Sequence, residues 1–194
     1  MSNKQPNLII INSNIPVAPG VEIDEHRKRL VGVVLDLFQG KTSLYKLNNY
    51  FAEDAVYEDP VAKSVGRKEI AGQFYGLPEL FKESRTKTVS IISNDSTSTS
   101  FSMTHILTPK LISTPIEFNT TMTITVNDKD LITHWQDRHR ENIPDGGWAE
   151  WMRKKQSEVT AAVLPIPGNE EEDLGRWRRW YGDAVPSPAT YENS

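Results

Sequence analysis

Four side chains in this sequence have the type and spacing for proton transfer: Asp137, His105, Tyr57 and Asp59. Asp137 lies in LITHWQDRH, where strand alternation sets it on the face of Leu131, Thr133, Trp135 and His139, leaving Ile132, His134 and Gln136 on the other. A carboxylate enclosed by apolar groups has its pKa raised, and near neutrality it can then take or give a proton. The competing role is an aspartate at a sheet rim, paired with Arg138 or Arg140. His105 stands among Phe101, Met103 and Leu107 on another apolar strand face. It is either a proton shuttle or a hydrogen-bonded core histidine, and it gains weight as a partner if it faces Asp137 across a cavity. Tyr57 and Asp59 sit two apart in VYEDP, so an extended chain directs both the same way. Alternatively, Asp59-Pro60 builds a turn and Tyr57 plugs the core. His134, Asp137 and His139 spell H-x-x-D-x-H, but alternation puts His134 opposite Asp137, so no metal site is expected.

Holding these groups in place requires a particular order of elements. Residues 1–23 read as an extended arm, because Pro6, Pro16, Pro19 and Gly20 prevent a helix; it is either a loose tail or a strap docked on the body or on a second subunit. Asp24 can cap a helix whose stripe is Leu30, Val31, Val33, Val34, Leu37 and Phe38, stopped at Gly40. A second helix starts near Thr42 or Ser43 and carries Leu44, Leu47, Tyr50 and Phe51. DAVYEDP is then extended, and a third helix after Gly66 buries Ile70, Phe74 and Leu77 before Pro78, with a further turn at Leu80 and Phe81. From Thr86 the period becomes two, through Val89 and Ile91, then Phe101 to Leu107, then Phe118, Thr120, Met122, Ile124 and Val126, then the strand of Asp137. Helices followed by hairpin-linked strands predict an α+β class, with a curved antiparallel sheet wrapped over the N-terminal helices. Trp135, Phe74, Met103, Met122 and Phe118 are expected to line the cavity or fill the core.

Beyond the sheet, residues 142–194 form a C-terminal extension. Trp148, Trp151, Met152, Val159 and Val163 suggest a helix from Gly147 to about Ala162, PIPGNEEED reads as an acidic loop, and RWRRW follows. That last run either packs on the domain or a dimer partner, or binds an acidic surface.

A formal charge of −4 and a pI near 5.6 argue against a nucleic-acid protein. Without cysteine there is no disulfide framework, thiolate nucleophile or cysteine-ligated metal. The apolar run Leu8–Ile11 is too short for a signal peptide, and nothing approaches the roughly 20 apolar residues of a membrane span, so a cytoplasmic protein is expected.

The order of helices, FAEDAVYEDP, VGRKEIAGQFYGL and NDKDLITHWQD resembles the SnoaL-like polyketide cyclases of the nuclear-transport-factor-2-like superfamily, whose relatives include ketosteroid isomerases, scytalone dehydratase and limonene epoxide hydrolase. The resemblance covers residues 24–141. It implies a cone enclosing a mostly apolar cavity, often a homodimer across the outer side of the sheet, and acid/base chemistry without a cofactor. It also implies a pocket carboxylate at Asp137, and it sets Asp59 where epoxide hydrolases of the superfamily carry an asparagine that helps a tyrosine hold the attacking water. The expected function is a cofactor-independent isomerase, cyclase, dehydratase or epoxide hydrolase acting on a small apolar oxygenated metabolite, such as a polyketide or terpenoid intermediate. The alternative is a non-catalytic ligand-binding or dimerising scaffold, because this fold carries many unrelated functions.

Overall fold

The computed structural model describes residues 5–60, 62–111, 114–138, 166–184 and 186–192. Its order is α1 (Glu25–Phe38), α2 (Leu44–Tyr50), β1 (Phe51–Glu58), β2 (Lys63–Val65), α3 (Arg67–Tyr75), α4 (Leu77–Leu80), β3 (Phe81–Asn94), β4 (Ser98–Pro109), β5 (Ile116–Val126), β6 (Ile132–Arg138) and α5 (Glu170–Tyr181). The helix starts follow capping chemistry. Asp24 accepts from the Arg27 amide and Ser43 from the Lys46 amide. Phe51 and Phe81, expected at helix ends, instead open strands, so β3 begins five residues before the change of period at Thr86.

One six-stranded sheet runs β2-β1-β6-β5-β4-β3. The α+β class with a curved, open sheet holds, but the sheet is mixed. β1 and β6 are parallel, with Tyr57 opposite Trp135 and Glu58 opposite Gln136. The long connection through α3, α4 and four strands permits a pairing that no hairpin could make. Register shifts in β3 at Phe81/Glu83, Thr86/Thr88 and Ile91/Ser93, and in the β5–β6 pair at Thr125/Val126, bend the strands, as bulges do. The last of these also breaks the alternation expected for β6. Ile132 and Trp135 are both fully buried, although simple alternation separates them.

The inward sheet face packs on α1, whose Leu30, Val31, Val33, Val34 and Leu37 are fully buried, and on Ile70, Phe74 and Tyr75 of α3. The arm docks on the body. Ile11 and Ile15 are buried, and Asn12 meets α1 where Gly32 leaves room; a Cβ there would come within 2.1 Å of the Asn12 carbonyl oxygen. Both backbone amides of Ile11 and Asn12 donate to Asp36, itself ion-paired with Lys46 at 2.8 Å in full burial. The acidic run expected in a loop is instead the first turn of α5, where Glu170 to Asp173 complement the helix dipole and Asn169 accepts from the Glu172 amide. RWRRW lies within α5, with Trp177 buried against the body. The helix expected between Gly147 and Ala162 lies outside the described residues. No described helix is long and apolar enough to cross a membrane.

Candidate functional site

Because β1 and β6 are parallel, their C-terminal ends reach the same rim, and this brings Tyr57, Asp59 and Asp137 together. The Tyr57 hydroxyl donates to Asp59 Oδ2 at 2.7 Å. Asp59 is half-buried and also closes the turn, its Oδ1 accepting from the Ala62 amide and its own amide donating to the Ala62 carbonyl at 2.9 Å. The two readings of VYEDP therefore coincide: Asp59 builds the turn and also orients Tyr57. Burial raises the pKa of Tyr57 well above its ordinary value, and the negative charges of Asp59 and Asp137 raise it further. The phenol is thus a neutral hydrogen-bond donor at any physiological pH.

Asp137 is 4% exposed and faces the interior, as alternation from Trp135 requires. It accepts a hydrogen bond from the Thr120 hydroxyl. Arg138 instead turns its Nε to Gln136 at 2.7 Å. The wall behind these groups is aromatic. Trp135 stacks on Phe74 with centroids 4.6 Å apart and 18° between planes, and Tyr57 lies 4.5 Å from Trp135 and 5.0 Å from Phe74. Met122, opposite Asp137 on β5, and Met103, opposite Thr120 on β4, are buried beside them. Among the described residues, the buried Trp135 Nε1 has no hydrogen-bond partner.

His105 does not meet Asp137. Its ring packs between Phe38, with centroids 4.7 Å apart, and the half-buried Phe118 at 5.7 Å. Its nitrogens are taken by Ser84, 2.9 Å from Nε2, and Thr86, 3.2 Å from Nδ1. The single Ser84 proton goes to the Phe38 carbonyl at 2.6 Å, so Nε2 must carry the hydrogen and Nδ1 must accept from Thr86. Burial, aided by Arg85, lowers the His105 pKa to about 3. The ring is a neutral, fully hydrogen-bonded core group, and the proton shuttle with Asp137 is not built.

His134 faces the outer side of the sheet, where its Nε2 lies 3.0 Å from Glu58. Glu58 also accepts from Gln136 at 3.0 Å. His139 lies outside the described residues. Among the described residues no group of three His, Cys, Asp or Glu is arranged to hold a metal ion.

None of five surface cavities, of about 390 to 700 Å³, is lined by Tyr57, Phe74, His105, Trp135 or Asp137. A buried polar cluster elsewhere escaped the sequence reading. Asp173 of α5 accepts from Asn7 at 2.9 Å, from the Leu44 amide at 3.1 Å and from Tyr75. It ties arm, α2, α3 and α5 together, and only its place one helical turn before Trp177 hints that it is buried.

Comparison with known proteins bears on the fold. No family model matches the chain, and no curated protein matches it. Among solved structures, an NTF2-like protein from Anabaena variabilis matches at a TM-score of 0.52 and 12% identity, over 61% of this chain and 90% of that one. A candidate isomerase of the SnoaL-like family from Agrobacterium tumefaciens matches at 0.49 and 15% identity, over 61% and 100%. A protein with a ketosteroid isomerase-like fold from Catenulispora acidiphila, solved with trimethylamine, matches at 0.47 and 19% identity, over 70% and 97%. The chain has the NTF2-like fold that its sequence pattern resembles.

Proposed function

We propose that the chain is a cofactor-independent acid/base enzyme for a small, largely apolar, oxygenated molecule, with its reaction centre at Tyr57, Asp59 and Asp137. The observation that carries this reading is the buried phenol oriented by one carboxylate and acted on electrostatically by a second, all against the Phe74–Trp135 stack. When substrate enters, the Tyr57 hydroxyl turns its single proton from Asp59 to a substrate oxygen where charge develops. Asp137 removes a proton from carbon or from a water and returns it to the product, so no outside oxidant or reductant is required. Asp59 keeps the phenol aimed. The aromatic walls exclude water and fold the substrate toward reaction. Trp135, Phe74, Met103 and Met122 are the contact surface, with Phe118 farther off beside His105.

A second reading, a non-catalytic scaffold, is favoured by the satisfied His105. Incubating wild type, Tyr57→Phe and Asp137→Asn with a library of small apolar ketones, epoxides and alcohols separates the two. The enzyme reading expects at least one compound converted by wild type and slowed by about a hundredfold or more in each variant. Conversion equal in all three proteins, or binding with no conversion by any, overturns it.

A further inference from the structure

A cavity of about 570 Å³ lies between the turn after α1, α4, the start of β3 and the end of α5, away from Tyr57 and Asp137. It gathers five basic side chains, Lys41, Lys82, Arg85, Lys110 and Arg179, and one acid, Glu83. The molecule as a whole carries a formal charge of −4, so this concentration runs against its sign. Glu83 is already engaged, by Arg85 at 3.2 Å and by the Thr108 hydroxyl at 3.1 Å. Among the described residues, Lys82, Lys110 and Arg179 have no carboxylate within ion-pair distance. Like charges collected from separate strands and a helix repel one another when the groove is empty, and a bound anion removes that repulsion.

The backbone is shaped to form this wall. Gly40 has φ 75°, and a Cβ there would meet Pro78 at 3.0 Å and the Tyr181 hydroxyl at 3.3 Å. That hydroxyl donates to the Gly40 carbonyl at 2.8 Å, and the Lys41 ammonium sits 3.1 Å from the Tyr181 ring centroid. Burial lowers the Lys41 pKa to about 8, so it remains mostly cationic at neutral pH. The Lys110 amide is fixed to the Leu80 carbonyl at 3.0 Å. Half-buried Phe81 and Trp180 add flat apolar surface to the same lining.

We propose that this groove binds a small phosphorylated molecule carrying a flat ring, of the nucleoside-diphosphate class. Its phosphates lie against Lys82, Lys110 and Arg179, and its ring lies against Trp180. Separate cations and a guanidinium fork suit a multiply charged phosphate better than a single carboxylate. The volume fits one small molecule, and the negative charge of the whole chain disfavours a long polyanion. This site is independent of the acid/base centre.

The test is calorimetric titration of the full chain with adenosine diphosphate, inorganic pyrophosphate and adenosine. Expected are saturable binding of both phosphate probes, tighter for the nucleotide, weakening with added salt, and none for adenosine. Lys110→Glu combined with Arg179→Glu should weaken both phosphate probes by about tenfold or more, while Trp180→Leu weakens only the nucleotide. In wild type, amide resonances of Lys82, Lys110 and Arg179 should shift with the nucleotide, which keeps the test decisive if a variant folds poorly. No saturable binding of either phosphate probe, binding unchanged by the double charge reversal, or shifts confined elsewhere overturns the proposal.

Discussion

His105 shows how one side chain links composition to stability. Its folded pKa, about 3, lies below the ordinary histidine value, so the unfolded chain binds a proton that the native chain refuses. The stabilisation is complete above the unfolded pKa and is lost progressively as pH falls from there to the folded value of about 3. Urea unfolding measured from pH 6.5 down to 5 should lose up to about 1.4 kcal/mol per pH unit from this group. His105→Phe should flatten that slope while lowering stability by about 1–3 kcal/mol at pH 7, because Ser84 and Thr86 each lose a partner. A slope unchanged by the substitution would mean that another group controls it. The apolar surroundings of His105 were legible from Phe101, Met103 and Leu107 at period two. Its partners were not, because Ser84 and Thr86 belong to a strand segment that the sequence pattern assigned to no element or only to its beginning. Direction along one strand is local information, whereas the identity of the facing group depends on the register between strands.

At the scale of elements, α5 was misread in its first turn. Pro165, Pro167 and Gly168 before four acidic residues look like a loop, yet Asn169 caps and the acids favour the dipole. Arg178 and Arg179 complete the pattern in the last turn. Asn169→Ala should cost about 1 kcal/mol of local stability, read as faster amide exchange within α5 with the sheet amides unchanged. Uniform loss of protection across the molecule would show that α5 does not open separately. The mixed sheet was illegible for a related reason. Turn signals report which strands form hairpins, and β1 turns only into the short β2 before α3, so nothing local announces that the neighbour on its other side is β6. The alternation of Trp135 and Asp137 was nevertheless read correctly, because the bulge that upsets it lies before Trp135.

At the scale of the whole molecule, the arm and the segment 186–192 both cover the sheet's long edge strand. Ile91 exchanges backbone hydrogen bonds with Pro16 and Ala18 at 2.9 and 2.8 Å, and the Glu192 amide donates to Lys87 at 2.9 Å. An uncovered edge would offer a template for another chain. Gly32→Ala tests this clasp. It should displace the arm despite the roughly 1 kcal/mol gained in helix propensity, making residues 5–23 cleavable by protease and inviting concentration-dependent association. The buried Asp36–Lys46 pair makes a second test. Lys46→Ala should cost about 3–5 kcal/mol by stranding Asp36, whereas Asp36→Leu with Lys46→Met should regain much of that in thermal unfolding. The arm should remain cleavable in the double variant, because the Ile11 and Asn12 amides have lost their acceptor. An arm as resistant as in wild type would show that its apolar contacts suffice.

The parallel pairing of β1 with β6 also orders events in time. Strands β3 to β6 can zip up through successive short-range hairpins, whereas β1 must close a loop of about 75 residues before its first backbone bond to β6 forms. A folding chain therefore gains most of its sheet early and its Tyr57–Asp137 neighbourhood late. Species halted before that closure would show nearly native strand content and no contact between Tyr57 and the strand of Asp137.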